Sequence, residues 1–137
     1  LDDGGHQVDQ QINSFDVLFP FVDKRGIYMC EDTHTSYQRK NYGGSYDAKN
    51  TFIDHMKKHI DFLHAWHTDD KDNLEINDFT RSTYNISFFD SIVSIEKQVI
   101  EKPYSISTGK SRLISDQKIS LLDRIIRKIK RTLGIIS

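Results

Sequence analysis

Apolar side chains recur at helical spacing in two segments of the chain, and this pattern predicts two amphipathic helices. In the first segment, residues 8–19, apolar positions fall three or four residues apart, and Pro20 closes the segment. The same spacing recurs in the second segment, residues 52–67. Thr51 and Asp54, at the start of this segment, resemble a helix-capping pair. The apolar face of the second helix is expected to form a core stripe of Phe52, Met56, Ile60 and Leu63.

Short apolar runs predict β-strands on either side of these helices. Residues 27–30 form one run, and residues 86–95 are rich in aromatic and β-branched residues around a polar pair, which indicates one or two strands near a sheet edge. Residues 1–3 read as the end of a further strand. This order of strands and helices predicts an α/β fold with an open, mostly parallel sheet. The predicted sheet core is Phe88, Phe89, Ile92 and Val93.

Charge is distributed unevenly along a chain whose formal net charge is −1. Residues 1–109 carry 18 acidic and 11 basic residues, whereas residues 110–137 carry 2 acidic and 8 basic ones. An acidic body lacks the basic face that phosphate binding requires, so nucleic acid is not expected as its partner. The sequence therefore predicts an acidic body, 1–109, and a basic tail, 110–137.

Cys30 is the only cysteine, which excludes an internal disulfide and a zinc–cysteine cluster. Its apolar neighbours predict that Cys30 is a small core residue. We expect a reducing compartment. No apolar run approaches the roughly 20 residues that span a bilayer. We expect a cytoplasmic protein.

Acidic residues follow two of the predicted strands, at the edge where open α/β sheets bind ligands. Asp3 follows the first strand, and Glu31 and Asp32 follow the run 27–30. If the two strands are neighbours, roughly 5 Å apart, these carboxylates converge, and a cation such as Mg²⁺ would relieve their repulsion. A plain glycine turn and a solvated loop explain the same residues without any metal.

His6 lies three positions after Asp3, across two glycines that allow a sharp turn. Histidine changes its protonation near neutral pH, which suits a general base beside a metal.

Longer motifs resemble a known enzyme family. The stretch "LDDGGHQ…QINSFDVLFPFVDKRGIYMCEDTHTSYQRKNYGG" and the later "YNISFFDSIVSIEK" are similar to metal-dependent O-methyltransferases that use S-adenosylmethionine and act on sugar hydroxyls, the mycinamicin and rhamnosyl O-methyltransferases. The resemblance covers most of residues 1–102. It implies the C-terminal part of a Rossmann-like class I methyltransferase fold, an open sheet closed by an antiparallel hairpin.

The resemblance also implies roles for individual residues. Asp3, Glu31 and Asp32 match the positions that hold Mg²⁺, and His6 matches the base that takes the substrate proton. Gly5 departs from the family pattern, because relatives often have serine at this position.

The family's glycine-rich cofactor loop has no counterpart in this sequence, so no S-adenosylmethionine-binding residue is assigned. We expect that loop upstream of Leu1 in a longer protein. Residues 1–109 would then be the C-terminal half of a catalytic domain that is inactive alone.

The segment after the carboxylates is a candidate for contacts with the substrate. It comprises His34, Thr35, Ser36 and Tyr37. Hydroxyls that bond local backbone are the competing interpretation. The acceptor would be a sugar-containing small molecule or a polysaccharide.

Two further features have structural explanations that compete with functional ones. His55 and His59 are four residues apart on a helix, but no third metal ligand is apparent.

The tail, residues 110–137, combines a loop with an amphipathic helix that has one basic face. Docking on the domain or on a partner subunit of a homo-oligomer is favoured over an anionic membrane surface.

The sequence as a whole predicts Mg²⁺-dependent methyl transfer from S-adenosylmethionine to a sugar hydroxyl. A non-catalytic interaction or membrane-tethering module with a vestigial site is the alternative.

Overall fold

A computed structural model describes residues 1–109 and Lys130. The chain divides into two compact units, Leu1–Pro103 and Tyr104–Ser137. The first contains the α-helices α1 (Val8–Leu18), α2 (Arg39–Tyr42), α3 (Phe52–His64) and α4 (Asp78–Ser82), and the strands β1 (Ile27–Cys30), β2 (Thr83–Phe89) and β3 (Ile92–Lys97). Three 3₁₀ helices span Phe19–Phe21, Thr33–Tyr37 and Ala65–His67. The predicted tail helix lies outside the described residues, and the boundary at residue 109 stays a prediction.

The strands form a small antiparallel sheet in the order β1-β3-β2. The expectation of a mostly parallel sheet is wrong for the described residues, because β3 pairs antiparallel with both neighbours. The physical reason is the tight turn at residues 90–91, which returns the chain directly into β3 instead of through a crossover helix. The coarser expectation, an α/β fold with a closing antiparallel hairpin, is confirmed.

The beginning of the chain lies beside β1 and runs parallel to it. The N–H of Asp2 donates to the carbonyl of Met29 at 2.7 Å, and the N–H of Glu31 donates to the carbonyl of Asp2 at 3.0 Å. This pairing appears as a parallel bridge between Asp2 and Cys30. The predicted adjacency of the two segments is therefore confirmed, and both end at the same edge of the sheet.

Helix α1 is fixed to the sheet at its C-terminal end by a lysine from β3. Lys97 is buried, and its Nζ donates to the carbonyls of Phe19, Pro20 and Val22 at 3.0–3.2 Å. Its ammonium also lies 4.8 Å from the centre of the Phe19 ring. The lysine thus supplies a donor to carbonyls at the end of the helix, among them that of Phe19, which also accepts the N–H of Val22 at 3.1 Å.

Helix α3 begins as the sequence predicts, because Thr51 Oγ1 accepts the N–H of Asp54 at 3.2 Å. Phe52 and Met56 are fully buried, whereas Ile60 is 36% exposed. The predicted core stripe is therefore correct for Phe52 and Met56 and wrong for Ile60, while Leu63 is partly buried and packs against the core.

The core lies between α1, α3 and the sheet, with Phe15 in contact with several rings at once. Its buried members are Phe15, Phe19, Tyr28, Cys30, Phe52, Met56, Phe79, Val93 and Ile95. The prediction that Cys30 is a core residue is confirmed. Phe88 and Phe89 are 42% and 63% exposed, so their expected burial is wrong, because they lie at the end of β2, which borders only one strand among the described residues.

Candidate active site

The chain changes direction sharply where it leaves β1. Asp32 has left-handed backbone angles, φ 54° and ψ 31°, which aspartate tolerates better than most residues. The N–H and the hydroxyl of Thr35 both donate to the Asp32 carbonyl, at 3.1 and 2.8 Å. The next N–H, that of Thr33, donates to the carbonyl of Ser91 at 3.0 Å. These bonds hold the turn and direct the Asp32 side chain toward the beginning of the chain.

Asp3, His6 and Asp32 come together at this edge. His6 Nε2 lies 3.4 Å from Asp32 Oδ2 and 3.9 Å from Asp3 Oδ1. One ligand atom from each residue lies within 4.8 Å of the other two. The side chains are 28% (His6), 60% (Asp3) and 45% (Asp32) exposed, so a ligand can reach the group. We call these three residues the acid–histidine cluster.

Glu31 is not a member of the acid–histidine cluster as the structure describes it. Its N–H pairs with Asp2, and its carbonyl accepts Gln11 Nε2 at 3.0 Å. The structure thus brings together two of the three predicted ligands, with His6 beside them. The backbone of Glu31 is held firmly, and its carboxylate lies outside the group.

The glycine at position 5 has a local structural reason. A Cβ added there would lie 2.2 Å from Oε1 of Gln10. That oxygen accepts the N–H of Gln7 at 3.3 Å, at the start of α1. A serine at this position would therefore require the Gln10 side chain to move.

His34 approaches the other carboxylate oxygen of Asp32 from the one that His6 approaches. Its Nδ1 is 2.6 Å from Ser91 Oγ and 3.9 Å from Asp32 Oδ1. Asp32 is thus flanked by two imidazoles. Sequence reasoning missed Ser91, although the polar pair Asp90–Ser91 between two apolar runs was the signal for the turn that carries it.

The other predicted substrate-contact residues divide into buried and exposed ones. Thr35 and Ser36 are buried, and Ser36 Oγ accepts the N–H of Ile53 at 3.3 Å. Their hydroxyls therefore bond neighbouring parts of the chain. Tyr37 is 49% exposed. It lines, together with His34, an open cleft of about 570 Å³ whose other wall includes Phe88 and Ser91.

The loop after α2 packs closely against this segment. A Cβ on Gly44 would lie 2.4 Å from backbone atoms of Thr35 and Ser36. Only glycine permits this approach without displacing the backbone. The loop thus supports the segment that follows Asp32.

Two side chains at β1 are held in their neutral forms. Burial, followed by the contact with Asp2, raises the pKa of Tyr28 far above its ordinary value, and the Tyr28 hydroxyl donates to Asp2 Oδ2. Burial and the carboxylates of Asp2, Asp32 and Glu31 raise the pKa of Cys30 to about 12. Cys30 is therefore a packing residue and no nucleophile.

His55 and His59 have structural partners in α1. His55 Nε2 lies 3.0 Å from Asp16 Oδ1, and His59 Nδ1 lies 2.9 Å from the His55 carbonyl. The ring of His59 packs against Phe15 and Phe79, with centroids 5.3 and 4.7 Å apart. Burial lowers the pKa of His59, which favours its neutral form.

Comparison with curated proteins shows similarity to sugar O-methyltransferases. The chain is 26% identical over 98 residues to 8-demethyl-8-alpha-L-rhamnosyl tetracenomycin-C 2'-O-methyltransferase of Streptomyces olivaceus, covering 72% of this chain and 26% of that protein. It is 38% identical over 68 residues to L-olivosyl-oleandolide 3-O-methyltransferase of Streptomyces antibioticus, covering 47% and 17%. The chain thus spans about a quarter of the first relative's length. No family model matches the sequence.

Solved structures give a consistent result. MycE methyltransferase from the mycinamycin biosynthetic pathway, in complex with Mg and SAH, matches with a TM-score of 0.66 and 24% identity, over 90% of this chain and 31% of that one. Its complex with Mg, SAH and mycinamycin VI matches with a TM-score of 0.56 and 26% identity, over 72% and 24%. The resemblance to sugar O-methyltransferases that the sequence indicates is therefore confirmed for the part of these proteins that the chain covers.

Proposed function

We propose that these residues form the metal-holding and proton-accepting part of an O-methyltransferase that uses S-adenosylmethionine and Mg²⁺ and acts on a sugar hydroxyl. The observation that carries the proposal is the convergence of Asp3, His6 and Asp32 from two adjoining segments. The names of the relatives support the reaction, and the Mg and SAH bound to MycE support the two cofactors. Because the chain covers only part of each relative, the activity is proposed for the whole protein in which these residues act.

The donor set fits Mg²⁺. Asp3 and Asp32 offer hard carboxylate oxygens within reach of one another, and their exposure leaves room for water and substrate oxygens to complete the ligand shell. Glu31 immediately precedes Asp32, and we propose its carboxylate as the third protein ligand, which requires its side chain to turn toward the cluster. When bound, Mg²⁺ would lower the pKa of a hydroxyl that contacts it and fix the orientation of that hydroxyl.

His6 is proposed as the general base. Its Nε2 is the nitrogen that faces the two carboxylates, so this atom would take the proton from the substrate hydroxyl. S-adenosylmethionine would supply the methyl group, and no described residue is assigned to its binding.

The acceptor would bind across His34 and Tyr37. Both line the cleft beside the acid–histidine cluster, and His34 also approaches Asp32. Thr35 and Ser36 are buried, and their hydroxyls would hold the position of the segment that carries His34 and Tyr37. A glycosylated natural product and a polysaccharide both remain candidates for the acceptor.

The strand order supports the finer assignment to a Rossmann-like class I methyltransferase fold. The beginning of the chain and β1 run parallel, and β3 is the reversed strand that closes the sheet. The ligand would then bind beyond the carboxyl ends of the parallel segments.

None of the helices among the described residues has the length and hydrophobicity that a membrane span requires. We propose a cytoplasmic location.

Chelation of the whole protein tests this function. Methyl transfer from S-adenosylmethionine to the acceptor that the whole protein methylates, sought first with 8-demethyl-8-alpha-L-rhamnosyl tetracenomycin-C, should stop with EDTA and return with Mg²⁺. Turnover that is indifferent to EDTA would contradict the metal requirement.

A further inference from the structure

Gln11 is a buried polar side chain beside the candidate site that the proposed chemistry does not use. It is 2% exposed and lies on α1, which begins two residues after His6. Its Nε2 donates to the carbonyl of Glu31 at 3.0 Å. Its Oε1 lies 3.5 Å from Oγ1 of Thr35, whose single hydroxyl hydrogen is donated to the Asp32 carbonyl at 2.8 Å.

These contacts link the two segments that carry the acid–histidine cluster. His6 is attached to the start of α1, and Asp32 follows the carbonyl that Gln11 binds. The amide of Gln11 therefore fixes the distance between the helix that follows His6 and the turn that carries Asp32. An amide is suited to this position because its nitrogen donates to the Glu31 carbonyl while its oxygen lies beside the Thr35 hydroxyl.

The turn at Asp32 needs such support. Its left-handed backbone is less favourable for aspartate than ordinary helical or extended angles, so neighbouring contacts must maintain it. The Glu31 carbonyl belongs to the peptide that joins Glu31 to Asp32. A hydrogen bond to this carbonyl fixes the plane of that peptide and hence the direction in which the Asp32 side chain leaves the backbone.

We propose that Gln11 is a positioning residue that holds the Glu31–Asp32 peptide so that Asp32 faces Asp3 and His6. The effect of Gln11 on metal binding rests on the proposed function, because the geometry that Gln11 maintains is that of the proposed metal site. Gln11 itself touches neither metal nor substrate in this account.

Mn²⁺ binding to the whole protein that contains these residues tests the proposal, with Gln11→Met as the variant. Methionine keeps the length of the side chain and removes the hydrogen bond to the Glu31 carbonyl. Gln38→Met is the matched control, because Gln38 is an exposed glutamine outside the cluster. Phe79→Leu controls for lost stability, since Phe79 is a core residue on α4. All measurements are made at a temperature where each variant is folded by circular dichroism.

The proposal predicts that Gln11→Met weakens Mn²⁺ binding by about tenfold or more, as is typical for loss of groups that orient metal ligands. Gln38→Met and Phe79→Leu should bind Mn²⁺ like the unmodified protein. Equal affinity in Gln11→Met and the unmodified protein overturns the proposal, and so does an equal weakening in Phe79→Leu. If Gln11→Met does not fold, Gln11→Asn, whose shorter amide cannot reach the Glu31 carbonyl, gives the same test.

A second readout separates this proposal from the proposed function. If the unmodified protein binds no Mn²⁺, the metal part of the proposed function fails, and amide hydrogen exchange then decides the role of Gln11. Gln11→Met should speed exchange at Thr33 and Thr35 by about tenfold while leaving Met56 in α3 unchanged. Unchanged exchange at Thr33 and Thr35 overturns the positioning role.

Discussion

The Nε2 atom of His6 lies 3.4 Å from Oδ2 of Asp32, although the two residues come from separate segments of the chain. Parallel pairing of Asp2 beside β1 makes this approach possible, because it aligns the ends of both segments. The left-handed turn at Asp32 then directs its carboxylate toward His6. A base and a carboxylate at this distance form the centre of the proposed mechanism.

Replacing His6 by alanine should separate catalysis from metal binding. We expect His6→Ala to lower kcat of the whole protein by about 10²–10⁴-fold, the range typical of a lost general base. Mn²⁺ affinity should change by less than about threefold, because the carboxylates remain. Steady-state kinetics and Mn²⁺ titration measure the two effects, with His64→Ala, an exposed histidine, as the control. An equal loss of turnover and metal affinity would remove His6 from the base role.

The half-buried position of His59 predicts a loss of stability in acid. Burial lowers the pKa of His59 below the ordinary histidine value of 6.5, and the neighbouring His55 lowers it further, while the His55 carbonyl and Asp16 oppose the shift. Between the lowered pKa and 6.5, the unfolded chain binds more protons than the folded one. The free energy of unfolding should therefore be fully retained above about pH 6.5 and fall as the pH drops below it.

Urea unfolding between pH 5 and 8 measures this dependence. His59→Gln should flatten the curve in the acid range, whereas His64→Gln, at an exposed position, should not. An unchanged acid slope in His59→Gln would show that other groups cause it.

Phe15 is expected to contribute more to stability than any exposed phenylalanine. Its ring lies 5.0 Å from that of Phe19 and 6.2 Å from that of Phe52, and it is 2% exposed. Phe15→Ala should lower the free energy of unfolding by about 3–5 kcal/mol in urea titration. Phe21→Ala, at a position that is 85% exposed, should change it by less than about 0.5 kcal/mol. Similar losses for both variants would contradict the placement of the core.

Lys97 is expected to contribute more to the free energy of unfolding than lysines at the surface. Lys97→Met keeps most of the side-chain length but leaves the carbonyls of Phe19, Pro20 and Val22 without this donor. We expect a loss of about 1–3 kcal/mol by the same urea measurement, the cost of unsatisfied buried polar groups. Lys102→Met, at an exposed position, is the control and should have little effect. An unchanged free energy of unfolding in Lys97→Met would mean that water replaces the ammonium as the donor to these carbonyls.

Local patterns in the sequence were sufficient to predict much of the fold. The apolar run at β1 and its acidic end, the cap at Thr51 and the adjacency of the chain's beginning to β1 are all confirmed. Each of these follows from neighbouring residues or from one general rule about strand ends.

Features that depend on pairing register could not be predicted in the same way. The exposure of Phe88 and Phe89 depends on which strand is at the edge, and the hydrophobic pattern is the same in either case. The positions of Ser91 and Gln11 beside Asp32 depend on long-range packing that short motifs do not encode. The place of Glu31 outside the cluster depends on the conformation of a single side chain.

The most direct test of the account is Mn²⁺ titration of the unmodified whole protein beside its Asp32→Asn variant, with Asp61→Asn, an exposed position on α3, as the control. The account predicts one Mn²⁺ per chain, binding weakened by at least about tenfold in Asp32→Asn, and unchanged binding in Asp61→Asn. The account would be contradicted by an unmodified protein that binds no Mn²⁺, or by equal affinity in the unmodified protein and Asp32→Asn.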